Sequence, residues 1–266
     1  MPLWINFQYY EKQLTTHRHH SEHPAMTPER YHTLKACLSR RQLDLTVVME
    51  KVQKSRNFAA IVRSCDAVGV HEVHAVTESG KMPRHHVTSA GTSKWVKVNC
   101  YRAIHTALDH LCTSGFQILA AHVRNESVDF RDVDYTKPTA IVLGSELQGI
   151  SDRTAEVATK CLKIPMQGLV ESFNVSVAAA LILYEAQRQR DAAGMYSKQQ
   201  ISHENMDATL FEWCYPQVAS YCQRHDLAYP KLDENGYIIG NLPDRIPAHD
   251  AVPLQHRRYR VRNTHQ

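Results

Sequence analysis

No apolar run in this 266-residue chain approaches the ~20 residues that a helix needs to cross a bilayer. The first residues carry no secretory pattern either, because Leu3-Trp4-Ile5-Asn6-Phe7 is too short and too interrupted for a signal core. A soluble, cytoplasmic protein with no membrane partner is therefore expected. The seven cysteines are odd in number, irregularly spaced and never arranged as C-x2-C. That pattern argues against both a disulfide framework and a structural zinc site, and it fits a reducing compartment. No G-x-G-x-x-G follows an apolar run, so a nicotinamide or flavin site of the dinucleotide-binding type lacks support. No Lys-Ser or Lys-Thr follows Gly149, which excludes a P-loop, and Ser145 lacks the G-x-S-x-G frame of a nucleophile elbow. His85-His86 has no third ligand at a useful distance, so no metal is expected. No internal repeat is present.

What is present begins with a core. Hydrophobic residues make up 43% of the chain, enough for one sizeable domain with extensions or for two small domains. The net charge of +4 permits a nucleic-acid partner without demonstrating one. Arg40-Arg41, Lys51/Lys54/Arg56, Arg188/Arg190 and Arg257 to Arg262 form the basic clusters. Any one of them is ordinarily a solvated face, but several around one candidate pocket favour a polyanion.

The chain divides by composition. Residues 1–25 crowd His17, His19, His20 and His23 together and read as a flexible appendage. Residues 26–43 open with Thr27 as a helix cap and Pro28 at the first helical position, and the helix runs to about Ser39. From 44 to 194 apolar strands alternate with helices. The strands are Leu45–Met49, Glu72–Val76, Trp95–Val98, Phe116–Ala121, Thr139–Leu143 and Cys161–Ile164. The helices are Phe58–Val68, Ile104–Cys112, Thr154–Ala158 and Asn174–Gln189. This alternation predicts an α/β fold with a mostly parallel sheet and helices on both faces. Residues 195–246 form a more polar extension with a helix from Ala208 to Gln223, which Pro216 kinks or divides. Residues 247–266 read as a basic disordered tail. The segment Val175–Tyr184 is apolar on nearly every side, which predicts burial on every side, either against a second subunit or in a central core.

Three segments place small and polar residues where a strand gives way to a turn or a helix, the position at which α/β proteins bind ligands. The first is Arg56-Asn57-Phe58-Ala59-Ala60-Ile61-Val62-Arg63. Asn57 can cap the helix or act in chemistry, and the two are compatible. Six residues is about 240° beyond one full turn, so Asn57 and Arg63 do not share a stripe. The second is Leu143-Gly144-Ser145-Glu146-Leu147-Gln148-Gly149-Ile150, whose glycines imply a close backbone approach. Glu146 can cap the turn or accept hydrogen bonds from a ligand. The third is Ile164-Pro165-Met166-Gln167-Gly168-Leu169-Val170-Glu171-Ser172-Phe173-Asn174, where Asn174 can cap the next helix or orient a loop.

In this order the three motifs closely resemble the TrmH-type (SpoU) branch of the SPOUT RNA 2′-O-methyltransferases, from about Asp44 to Gly194. The run Leu183 to Arg190, followed by Ala193-Gly194-Met195-Tyr196, is similar to the branch's tRNA-modifying members. The resemblance implies an α/β sheet with a deep C-terminal trefoil knot, a homodimer, and S-adenosylmethionine among the knot loops. It implies methylation of a ribose in tRNA, at guanosine 18. Arg63 matches the family's catalytic arginine and Asn57 its paired asparagine. Ala121, Leu143, Gly144, Glu146, Gly149, Ile164, Met166, Ser172, Phe173 and Asn174 match its cofactor loops. Arg41, Arg188 and Arg190 match arginines that meet RNA. A ribosomal RNA methyltransferase and a non-catalytic RNA-binding protein of the same fold are the alternatives. Residues 1–25 lie outside the family pattern.

Overall fold

The computed structural model describes residues 26–81, 94–124, 126–145 and 148–239. They cluster into two units, one formed by residues 40–200 and the other by residues 26–39 together with 201–239.

The larger unit is built on seven strands: β1 (Leu45–Glu50), β2 (Glu72–Val76), β3 (Lys97–Tyr101), β4 (Gln117–Ala121), β5 (Val128–Asp129), β6 (Thr139–Leu143) and β7 (Lys160–Lys163). They lie in the order β3-β2-β1-β6-β4-β7-β5, and every pairing between them is parallel. β1 and β6 sit at the centre and are buried at every position. Their sequences are near-continuous apolar runs because helices cover both faces. On one face Val47 and Met49 of β1 meet Phe58, Ile61, Val62 and Cys65 of α2 (Ser55–Ala67). Ala179, Ile182, Leu183 and Ala186 of α5 (Val175–Ala192) complete that layer. On the other face Val48, Ala140 and Val142 pack with Ala107, Leu108 and Leu111 of α3 (Ile104–Thr113) and with Ala155 of α4 (Asp152–Val157). Successive residues of a strand serve opposite layers, as the period of two requires.

Several boundaries differ from the sequence expectation. The strand expected at Trp95–Val98 runs instead from Lys97 to Tyr101, paired residue for residue with β2. β5 is only two residues long, too short to leave a periodic signal. The apolar segment of α5 is not buried on every side of the chain. Val177, Leu181 and Tyr184 are exposed on the face turned away from the sheet.

The smaller unit packs α1 (Pro28–Ser39) against α6 (His203–Cys214), which is followed by α7 (Pro216–Arg224). Thr27 Oγ1 accepts from the Arg30 N–H at 3.3 Å and caps α1. Pro216 divides the expected single helix and takes the first position of α7, where a missing N–H costs nothing. Gly236 turns the segment after α7 at φ 84°, and a Cβ there would meet the Tyr31 ring at 2.5 Å.

Two buried histidines make this fold acid-sensitive. Burial holds His71 and His74 down at about 4, against an ordinary 6.5. His71 Nδ1 and His74 Nε2 lack partners among the described residues, and His74 Nδ1 lies 3.2 Å from the Tyr101 hydroxyl. Between pH 6.5 and 4 the unfolded chain binds more protons, so stability is lost as pH falls through that window. The loss expected is ~1–3 kcal/mol per histidine. Urea unfolding at pH 7 and pH 4.5 measures it, and His74→Gln should flatten the difference. An unchanged slope would contradict this assignment.

Candidate functional site

A parallel sheet sends the carboxyl ends of its strands in one direction. Here Met49 of β1 pairs with Leu143 of β6, Leu143 with Ala121 of β4, and Ala121 with Leu162 of β7. The segments that follow β1, β4, β6 and β7 therefore leave the sheet side by side. They hold His122, Gly144 to Ile150, Ile164 to Phe173, and the approach to α2. Ligands of open α/β sheets occupy this edge.

The segment after β6 doubles back tightly. Ser145 N–H donates to the Gly149 carbonyl at 2.9 Å and Gly149 N–H to the Ser145 carbonyl at 3.0 Å. Gly149 has φ 67°, the left-handed region that glycine tolerates. A Cβ on Gly144 would sit 2.1 Å from the Gly149 carbonyl carbon, so only glycine permits this closure. His122 faces the turn, with its Nδ1 3.4 Å from where a Gly149 Cβ would lie. Burial, and then Arg124, lowers the His122 pKa. Its main-chain N–H donates to the Leu162 carbonyl at 3.2 Å, tying β4's exit to β7. Glu146 lies outside the described residues.

The segment after β7 ends at α5. Ile164 and Met166 are half-buried, whereas Ser172 and Phe173 are exposed. Asn174 caps α5, its Oδ1 accepting from the Ser176 N–H at 2.9 Å and the Ser176 hydroxyl at 2.6 Å. Its Nδ2 donates to Asn57 Oδ1 at 3.3 Å. This contact joins the first motif to the third across 117 residues of sequence.

Of the two roles open to Asn57, capping α2 is not the one it takes. α2 begins at Ser55 with Lys54 at the cap position and no side-chain cap bond. Asn57 is the third helical residue, and its buried amide is turned to Asn174. Arg63 lies farther along α2, exposed and without an ion pair among the described residues. The separate orientations of Asn57 and Arg63 follow from the 240° between them.

The arginines expected at RNA divide. Arg188 is exposed and forms a bidentate pair with Glu185 at 2.9 and 2.7 Å. Arg190 is fully buried, which corrects its placement at an RNA surface. It donates to Asp44 Oδ1 at 2.5 Å, Gln42 Oε1 at 3.0 Å and the carbonyls of Tyr135, Asp44 and Lys137. Arg41 is also fully buried, paired with Asp66 and bonded to the Val70 carbonyl at 2.9 Å. A guanidinium enclosed this way holds chain segments together and has no face left for a phosphate.

Sequence reasoning passed over Glu50, which is buried at the end of β1 and bonds the segment after β6. The available signal was a carboxylate closing the strand Leu45-Thr46-Val47-Val48-Met49. A buried carboxyl group needs hydrogen-bond partners, and such a residue marks where a polar contact must exist.

Fold and site together define an α/β protein whose ligand-binding edge is made by loops from neighbouring parallel strands. Residues 44–184 match the SpoU rRNA Methylase family, and residues 188–241 match the family described as SpoU, rRNA methylase, C-terminal. The chain belongs to the SpoU methylase family. It is 47% identical over 215 residues to a tRNA (guanosine(18)-2′-O)-methyltransferase of Escherichia coli, covering 80% of this chain and 94% of the relative. A protein of the same description from Thermus thermophilus is 46% identical over 187 residues, covering 70% and 96%. Among solved structures, the Aquifex aeolicus TrmH/SpoU tRNA modifying enzyme superimposes with a TM-score of 0.65 at 44% identity, covering 71% of this chain and 97% of that one.

The buried arginine gives a clean comparison. Removing Arg190 leaves Asp44 and three carbonyls without their donor, so Arg190→Ala should cost ~3–5 kcal/mol in denaturant unfolding. Arg188→Ala removes only an exposed pair and should cost ~0–1 kcal/mol. Equal losses would show that Arg190 is not the structural anchor.

Proposed function

We infer that this protein transfers the methyl group of S-adenosylmethionine to the 2′-hydroxyl of guanosine 18 in tRNA. The observation that carries the reading is the Asn57–Asn174 bond, which brings the motif holding Arg63 to the loop after β7. The relatives above, 44–47% identical over most of the chain, supply the substrate.

The strand-end loops suit this cofactor. Leu169, Val170 and Phe173 are exposed and Ala121, Ile164 and Met166 are half-buried, apolar side chains of the kind an adenosine ring packs against. Main-chain groups of Leu143 and Gly144 would supply hydrogen bonds to it, and Ser172 a polar side chain. We assign these loops to a deep trefoil knot, with α5 emerging from it to pack on α2. The catalytic domain is assigned to residues 44–194.

Bound S-adenosylmethionine supplies an electrophilic methyl on a sulfonium. That methyl would pass in line to the ribose 2′-oxygen as the carbon–sulfur bond breaks, leaving S-adenosylhomocysteine, and the hydroxyl proton would pass to solvent water. A guanidinium is a poor base, because its pKa exceeds ~12. Arg63 therefore acts on charge: it stabilises the developing alkoxide and grips a neighbouring phosphate. Asn57, fixed by Asn174, orients the substrate side of the pocket. Arg188 meets the tRNA backbone.

A second copy of the chain covers the open face of α5. Val177, Leu181 and Tyr184 are exposed along it, spaced to share one face of the helix. Contiguous apolar surface of this kind marks an interface. Light scattering should find a homodimer, and Tyr184→Asp should shift it toward monomer. A monomeric wild type would contradict this assembly.

The activity is tested with labelled S-adenosylmethionine, an unmodified tRNA transcript and mapping of the methylated nucleotide. Methylation at guanosine 18 is expected, and Arg63→Ala should lower kcat by ~100- to 1,000-fold. Arg63→Lys should not restore it at any pH, because Lys cannot form the bidentate clamp. Methylation of a ribosomal RNA fragment in place of tRNA, or near-full activity of Arg63→Lys, would overturn the respective claims.

A further inference from the structure

β1 closes on a residue with no role in the sheet's apolar packing. Glu50 is 3% exposed, and its Oε2 accepts two hydrogen bonds. One comes from the Ser151 N–H at 3.2 Å and the other from the Thr154 hydroxyl at 2.8 Å. Thr154 is fully buried, and Ser151 Oγ accepts from the Thr154 N–H at 3.3 Å to cap α4. Ser151 is the residue directly after the Gly144–Ile150 turn. On the other side, Glu50 is followed by Lys51, a non-glycine residue at φ 55°. The Lys51 N–H donates to the Val76 carbonyl at 3.2 Å. The chain then reaches α2, with Asn57 and Arg63, within five residues.

One carboxylate therefore ties the exit of the turn after β6 to the end of β1, from which the chain leads into α2, although the partners are 101 and 104 residues apart in sequence. Packing alone does not account for it, because a buried position filled for stability takes an apolar residue at lower cost. The left-handed Lys51 adds strain at the same junction, and strained backbone gathers where geometry serves function.

We propose that Glu50 is a positioning residue that holds the cofactor turn in register with the helix bearing Asn57 and Arg63. This rests on the methyltransferase reading above. Without the carboxylate, Ser151 and Thr154 lose their common acceptor and the turn after Leu143 loosens. The cofactor side of the site then weakens first, while Arg188 and the rest of the tRNA surface stay in place.

Steady-state kinetics on the full chain, varying S-adenosylmethionine and tRNA transcript separately, tests this. Glu50→Ala should raise the KM for S-adenosylmethionine by about tenfold or more and leave the tRNA KM within about twofold. Glu50→Gln keeps an acceptor oxygen at the same reach and should stay within about threefold of wild type for both substrates. Thr154→Val removes one of the two donors and should give an intermediate cofactor KM. It also provides the readout if Glu50→Ala does not fold. An unchanged cofactor KM in Glu50→Ala or Thr154→Val would overturn the proposal. So would a parallel rise in both KM values, or failure of Glu50→Gln to retain cofactor affinity. A wild type that neither binds S-adenosylmethionine nor methylates tRNA would sink the functional reading itself. An active wild type with indifferent variants would sink only the role of Glu50.

Discussion

The parallel register of β1, β6, β4 and β7 is the constraint on which the rest of this structure depends. Because Met49, Leu143, Ala121 and Leu162 align across those strands, their following segments must emerge at one edge. The sheet gathers several segments at this edge, and small residues let them pack closely. Gly144 and Gly149 close one turn, and Asn174 closes another against Asn57. Polar contacts between segments far apart in sequence then set the spacing that packing leaves open.

The two layers of the core explain why this arrangement is rigid where it must be. β1 and β6 are buried from end to end and carry apolar side chains to both faces. Buried arginines complete the frame at the opposite end of the strands. Arg190 joins the last turns of α5 to the residues before β1 and β6, and Arg41 joins the start of the unit to the end of α2. Each is enclosed among acceptors, so each acts as a cross-brace in place of a surface charge. The frame holds the strand ends, and the strand ends hold the loops.

Much of this was legible in the sequence, for identifiable reasons. Central strands such as Leu45–Glu50 and Thr139–Leu143 are continuous apolar runs, and the polar segments after them mark the site. Asn174 was recognisable as a cap because a strong helix follows it. Asn57 was not recognisable as a non-cap, because α2 starts earlier at Ser55 with no capping side chain to announce it. Arg41 and Arg190 misled for a different reason. Their acceptors are main-chain carbonyls and the acids Asp66 and Asp44, far away in sequence, and an arginine cluster looks the same whether it is solvated or enclosed. The outward face of α5 was hidden too, because it is as apolar as the inward one.

The central claim is that the loops after β4, β6 and β7 form one cofactor pocket beside the Asn57–Asn174 contact. The most direct measurement is a crystal structure of the protein with S-adenosylhomocysteine, the product that remains after methyl transfer. The account predicts density for the whole molecule between the Leu143–Gly149 turn and the Ile164–Phe173 segment, beside the Asn57–Asn174 contact. Density at another edge of the sheet, or a ligand bound clear of both segments, would contradict it.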